Sequence, residues 1–119
     1  MAEKYIPFFV PTIGNEEIRE VAKVMKSGWI TSGKVTEKFE QEFKNYIGCK
    51  YTAAVNSGTA ALHLALDAIG LRPNDEVITT PMTFAATAEV ILYFHARPVF
   101  VDCRRDTFNI DEQRIEDKI

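Results

Sequence analysis

The stretch at residues 56–66, NSGTAALHLAL, constrains the fold of this chain more than any other. It follows an apolar run at residues 51–55 whose length and composition predict a short buried strand, so the pattern indicates a strand followed at once by a helix. Ser57 is a favoured N-cap residue, Gly58 lets a ligand approach the backbone closely, and the alanines and leucines that follow are strong helix formers. We therefore expect a helix to begin here, with unpaired amides in its first turn.

This helix start is a candidate anion site. Its first amides carry a partial positive charge, and the small side chains of Ser57, Gly58 and Thr59 leave room for a phosphate. An ordinary capped helix accounts for the same residues equally well, so the surrounding pattern must separate the two interpretations. Two further strand-like runs, at residues 76–80 and 98–101, end close to polar residues, and ligands of open α/β sheets bind at such strand ends.

Composition narrows the class of protein. The chain has 119 residues, of which 46% are hydrophobic, and this allows one globular domain. Its formal charge of −3 gives no electrostatic reason to bind nucleic acid or an anionic membrane surface. The first residues do not resemble a signal peptide and no run is long enough to span a bilayer, so we expect a cytoplasmic protein.

The cysteines and histidines are predicted to be structural. Cys49 and Cys103 are isolated from each other and from clustered histidines, which favours reduced packing residues over a disulfide or a metal site. His63 falls within the alanine- and leucine-rich helix, and His95 falls near the end of the next one.

The periodicity predicts alternating helices and strands. Residues 1–14 contain two prolines and are expected to form an extended arm. A first helix, capped by Asn15, ends at Gly28, and a second covers residues 35–47. The helix that follows Ser57 runs to residue 69, a fourth is capped by Thr83 and ends near residue 94, and a last one is capped by Asp111.

This alternation predicts an α/β fold with three layers, in which helices cover a mainly parallel sheet. No linker or repeat divides the chain, so residues 1–119 are expected to belong to one domain. The last helix has only about two turns, so the sequence is expected to stop within the fold. Between the first two helices lies a loop at residues 29–33, in which Trp29 is equally well explained as a packing anchor or as a ligand contact.

Taken together, these motifs resemble the DegT family of pyridoxal-phosphate-dependent sugar-nucleotide aminotransferases, which have the fold-type I aminotransferase architecture. The resemblance covers the whole chain, in order. It is carried by GWITSG at 28–33, FE at 39–40, VNSGTAALHLAL at 55–66, DEVITTPMTFAATA at 75–88, PVFVD at 98–102 and NID at 109–111.

The resemblance implies a function in polysaccharide biosynthesis. It implies transfer of an amino group, with pyridoxal phosphate as cofactor, from a donor that is usually glutamate to a keto sugar on a nucleoside diphosphate, in a homodimeric enzyme. The amides of Gly58, Thr59 and Ala60, after Ser57, would hold the cofactor phosphate, and Phe84 would stack on its pyridine ring. The residues implied to border the sugar nucleotide are Trp29, Ile30 and Thr31.

The departure from the family concerns the catalytic groups. Family members are several-fold longer, and neither the motif of the Schiff-base lysine nor that of the aspartate that pairs with the pyridine nitrogen is present. The chain therefore matches roughly the amino-terminal third of such an enzyme, with no catalytic residue of its own. Its lysines are expected on charged helix faces, in loops or at the terminus; they are Lys4, Lys23, Lys26, Lys34, Lys38, Lys44, Lys50 and Lys118.

Two alternatives remain at this point. The chain could be a truncated, non-catalytic binding module that keeps only the phosphate site. It could also be a fold-type I protein that acts on an amino acid or in sulfur transfer, against which the loop at residues 28–31 and the Thr83-Phe84 pair argue.

Overall fold

A computed structural model describes residues 5–119, so residues 1–4 of the predicted arm, including Lys4, lie outside the described residues. The chain divides into two compact units, Met1–Ala54 and Val55–Ile119. Residues 5–14 contain no helix or strand.

The first unit contains two helices, α1 (Asn15–Ser27) and α2 (Lys34–Ile47). Both end where the sequence predicts, at glycines in the left-handed conformation, with φ of 74° at Gly28 and 75° at Gly48. The predicted cap of α1 is wrong by one residue, because Gly14 occupies the N-cap position. The amide of Gly14 donates to Glu17 Oε2 at 2.6 Å, and this contact lets Asn15 enter the helix as its first residue.

Residues 51–55 do not form the predicted strand, and this part of the expectation is wrong. The segment bonds instead to α2. Thr52 Oγ1 donates to the backbone carbonyl of Glu40, and the amide of Ala54 donates to Glu40 Oε1, both at 2.7 Å. A strand requires a ladder with a neighbouring strand, whereas the polar groups of this segment are bound to a helix.

The second unit begins with α3 (Gly58–Ala68) and continues through β1 (Glu76–Thr79), α4 (Ala86–Leu92) and β2 (Arg97–Phe100). The two strands are parallel, in a register that places Glu76 opposite Arg97, and these two side chains form an ion pair. The amide of Val101 continues the ladder by donating to Thr79 O at 2.8 Å. The strands lie within a residue of the predicted runs, and the helix between them makes the parallel pairing possible.

The fourth helix is shorter than predicted at both ends. Thr83 does not cap it, because its hydroxyl lies 3.0 Å from the Thr87 hydroxyl and Ala85 holds the N-cap position. At the other end the helix stops at Leu92, and His95 has a positive φ of 55°. This left-handed residue turns the chain into β2.

The buried core of the described chain lies around α4. Its fully or nearly fully buried apolar residues are Ala86, Val90, Ile91, Ala96 and Val101. Helix α4 packs against both strands and against α3. At the contact with α3, the His63 ring lies edge-on to Tyr93 and Phe94, with ring centroids 5.4 and 5.1 Å apart. His63 is exposed and contacts these two rings, and its structural role remains a prediction.

The chain after β2 forms a compact turn, followed by two short 3-10 helices, Glu112–Arg114 and Glu116–Lys118, in place of the predicted α-helix. Asp111 does cap this region, since its Oδ1 accepts from the amide of Gln113 at 3.2 Å. The turn, residues 103–110, closes with an antiparallel bridge between Cys103 and Ile110. We call it the Arg104 turn, because Arg104 bonds there to both Asp106 and Glu112.

Within residues 5–119, none of the helices combines the length and the apolar character that crossing a bilayer requires.

Candidate functional site

The start of α3 is a capped helix N-terminus whose first amides are available to a ligand. Ser57 is extended, with φ of −160° and ψ of 158°, and its Oγ accepts from the amide of Ala60 at 3.1 Å. The carbonyl of Ser57 accepts from the amide of Ala61, also at 3.1 Å. Within residues 5–119, the amides of Gly58 and Thr59 have no hydrogen-bond acceptor. We call residues 57–60 the cradle.

The cradle fits an anion, with one difference from the expectation. The Ala60 amide, which was expected to hold the phosphate, already donates to Ser57, so Gly58 and Thr59 supply the free donors. The first turn of α3 contains no acidic side chain that would repel an anion. A Cβ placed on Gly58 would meet no atom within 4 Å, so the backbone here is open to a ligand. The cradle can therefore accept a phosphate group through backbone amides alone.

Phe84 lies in the turn that joins β1 to α4. Its side chain is 82% exposed, so it is not a core residue. The preceding part of this turn is held by Thr80, whose Oγ1 accepts from the amide of Met82 at 3.3 Å. An exposed aromatic ring after the carboxyl end of a strand can stack on a planar ligand, and this role of Phe84 remains a prediction.

The structure groups Trp29, Ile30 and Thr31 around one cavity of about 940 Å³ in the first unit. Trp29 Nε1 donates to the backbone carbonyl of Ser32 at 2.9 Å, so the indole N–H is used within the loop. Gly33 packs directly under the ring, and a Cβ at this position would lie 2.8 Å from Trp29 Cδ1. Trp29 therefore anchors its own loop, while its remaining exposed surface faces the cavity.

Glu40 was not predicted as a site residue from the sequence. It is half-buried and binds the segment that leads to the cradle. The signal that could have identified Glu40 is its spacing from the apolar residues of α2. Glu40 lies three residues before Phe43 and seven before Ile47, which places a carboxylate on the apolar stripe of the helix.

Neither a metal site nor a buried lysine occurs in the described chain. Residues 5–119 contain no group of three or more side chains that could hold a metal ion. Of the lysines in that range, Lys44 is half-buried and all others are exposed. None is therefore desolvated in the way that activates an amine for attack on a carbonyl.

Comparison with known proteins gives consistent matches across the chain. Residues 11–119 match the DegT/DnrJ/EryC1/StrS aminotransferase family. The uncharacterized protein MJ1066 of Methanocaldococcus jannaschii is 53% identical over 98% of this chain. The spore coat polysaccharide biosynthesis protein SpsC of Bacillus subtilis is 48% identical over 94% of it. This chain spans 30% of the length of the first relative and 29% of the second.

A solved structure also matches this chain. Spr1654 of Streptococcus pneumoniae, described as a sugar aminotransferase and solved in its PLP form, matches 96% of this chain with 42% identity and a TM-score of 0.86, and this chain covers 29% of it. The α/β class with a parallel sheet and the fold-type I architecture are confirmed for the part of the fold that the chain spans. The family match covers most of the chain and includes both units. The chain therefore belongs to the DegT/DnrJ/EryC1/StrS aminotransferase family.

Proposed function

We propose that this chain is the amino-terminal part of a pyridoxal-phosphate-dependent aminotransferase that acts on a nucleotide-linked keto sugar. We also propose glutamate as the amino donor and a homodimer as the assembly. The observation that carries the proposal is the pair of free amides at Gly58 and Thr59, in a chain whose solved relative Spr1654 was obtained in its PLP form. In this proposal the whole chain is one part of a single transferase domain.

The cradle supplies binding energy for the phosphate end of the cofactor. Two backbone donors at a helix N-terminus can each make a charge-assisted hydrogen bond, and the helix dipole favours the same negative charge. Ser57 keeps these donors in place, because its cap bond to Ala60 fixes the first turn. Phe84 would cover one face of the pyridine ring, and the bound cofactor supplies the electron sink that the reaction needs.

The cavity beside Trp29 is the proposed site for the sugar nucleotide. Its lining combines an aromatic surface with hydroxyl groups, including those of Thr31 and Ser32. Sugar rings stack on aromatic faces and use their hydroxyls as hydrogen-bond donors and acceptors, so both kinds of group suit this substrate.

The alternative is binding without turnover, in which the chain keeps the cradle but transfers no amino group. The exposure of its lysines favours this alternative for the isolated chain.

Replacement of Gly58 by proline tests the cradle. Gly58 is the first residue of α3, where proline fits the helix but removes the N–H donor. Because a hydrogen bond to a charged group contributes about 1.5–3 kcal/mol, we expect Gly58→Pro to weaken pyridoxal phosphate binding by about tenfold or more. Binding of unphosphorylated pyridoxal should change little, so the ratio of the two dissociation constants, measured by calorimetry, is the decisive quantity.

Asn15→Pro is the matched control, since Asn15 is the first residue of α1 and lies outside the cradle. This variant should keep the wild-type ratio. Equal affinity of the wild-type chain for pyridoxal and pyridoxal phosphate would contradict the proposal.

A further inference from the structure

We infer that Glu40 is a positioning residue for the cradle, acting by holding the segment through which the chain reaches Ser57. The inference deepens the proposed function and rests on the cradle being a phosphate site. Nothing about it requires Glu40 to touch the cofactor.

Glu40 binds this segment with two different groups. Its Oε1 accepts from the amide of Ala54 at 2.7 Å, and its backbone carbonyl accepts from the Thr52 hydroxyl at 2.7 Å. Ala54 precedes Ser57 by three residues, so its amide lies within about 10 Å of Ser57 even if the chain between them is fully extended. The carboxylate thus fixes the backbone just before the cradle.

The other acidic residues of α2 behave differently. Glu37 and Glu42 are exposed, and Glu42 forms a surface ion pair with Lys38 at 3.6 Å on the same helix. Glu40 alone among them is half-buried. A carboxylate removed from water in this way is costly unless it is hydrogen-bonded, and a bond from a backbone amide to an ionised carboxylate is roughly twice as strong as a neutral one.

This contact matters for the cradle because its donors are backbone groups. Amides cannot adjust through rotamers, so their direction is set by the chain on either side of them. On the helical side α3 is held by its own hydrogen bonds and by packing against α4. On the other side, the carboxylate of Glu40 holds Ala54, and its loss would let the start of the helix fray.

The test combines amide exchange with ligand selectivity in the 119-residue chain. We expect Glu40→Ala to speed hydrogen exchange at the Ala54 amide by about tenfold, since that amide loses a charge-assisted bond. The preference for pyridoxal phosphate over pyridoxal should fall by about threefold to tenfold, because only the phosphate uses the cradle. Glu42→Ala, on the same helix, should leave both quantities unchanged.

Glu40→Gln is a milder variant for the same test, and it replaces Glu40→Ala if the alanine variant does not fold. Glutamine keeps an acceptor oxygen but loses the charge, so exchange at Ala54 should rise by about threefold and the phosphate preference should fall less than in the alanine variant. Because glutamine has nearly the size and shape of glutamate, a loss of this kind in Glu40→Gln would not follow from a role in packing alone.

Two results would overturn the inference. One is exchange at Ala54 that stays at the wild-type rate in folded Glu40→Ala, or in Glu40→Gln if the alanine variant is unfolded. The other is faster exchange with an unchanged phosphate preference. A wild-type chain without any phosphate preference would instead refute the proposed function, and the cradle role of Glu40 with it.

Discussion

Gly33 is required by the ring of Trp29 and not by its own backbone angles. Its φ of 179° is open to any residue, but a Cβ would overlap the Trp29 ring. We expect Gly33→Ala to destabilise the chain by about 1–3 kcal/mol, as overpacking does elsewhere, and to displace the indole from the Ser32 carbonyl. Trp29 is the single tryptophan of the sequence, so its emission spectrum together with thermal unfolding measures both effects.

Gly58→Ala is the control for this change, since a Cβ at Gly58 meets no neighbouring atom. It should leave the tryptophan emission as it is. If Gly33→Ala shows the same emission and the same unfolding curve as Gly58→Ala, the packing of Trp29 on Gly33 is not the constraint we describe.

These residues show what the sequence can reveal about a site. Ser57 was predictable as a cap because its role depends on its immediate neighbours. The double role of Trp29, exposed in part yet bonded to Ser32, was left open because a sequence does not give loop geometry. Glu40 was missed because its partner, Ala54, is distant along the chain.

The Arg104 turn is an element held by charge. Arg104 Nε and Nη2 lie 3.2 and 3.1 Å from the two oxygens of Asp106, and Nη1 lies 2.9 Å from Glu112 Oε1. The hydrogen bonds from Arg104 lower the pKa of Asp106. The pKa of Glu112 is lowered chiefly by a hydrogen bond from the backbone amide of Glu112 itself, and further by Arg104. A lowered folded-state pKa means that these carboxylates stabilise the turn above their unfolded-state pKa. That contribution disappears as the pH falls through the folded-state value.

We expect Arg104→Met, which keeps an unbranched side chain, to raise the pKa of Asp106 towards the ordinary value of about 3.9. Carboxyl carbon NMR across an acid titration measures this directly. Arg105→Met changes the exposed neighbour and should leave the Asp106 titration where it is. An Asp106 carboxyl that titrates identically in wild type and Arg104→Met would show that the ion pair is absent in solution.

The helices and strands were predictable where the residues that determine them are neighbours in the sequence. The ends of α1 and α2 follow from glycines at the C-cap, and both were predicted correctly. The runs that form β1 and β2 were found, but residues 51–55, of similar composition, form no ladder. Strand identity depends on a partner, which is why apolar content alone gave the wrong result there.

For the molecule as a whole, the distribution of apolar surface is uneven. The buried apolar side chains of the described residues fall between Ala86 and Val101, whereas the apolar stripes of α1 and α2 remain exposed, with Met25 at 68% and Phe39 at 56%. Periodicity predicted the two helices that carry these stripes. The sequence pattern could not predict what covers these stripes, because an amphipathic pattern indicates which face of a helix is apolar and does not identify what packs against that face.

We expect the isolated chain to bind pyridoxal phosphate without transferring amino groups. Its described lysines are exposed or, for Lys44, half-buried, so their amines stay hydrated. Borohydride fixes any covalent bond between a lysine and the cofactor, and mass spectrometry of the digested protein then locates it. We expect no stoichiometric label on any single lysine and no amino transfer in a coupled assay. A stoichiometric label at one lysine, accompanied by turnover, would contradict this expectation.

The single crossover from β1 through α4 to β2 also determines when the core can form. Each pair of facing residues in the two strands is 21 positions apart, as 97 − 76 shows for Arg97 and Glu76, so closing the loop between them costs less entropy than closing a longer one. During synthesis, every side chain buried in the described chain has been made once the ribosome has added Val101. The side chains of the core around α4 are therefore all present before the Arg104 turn is translated.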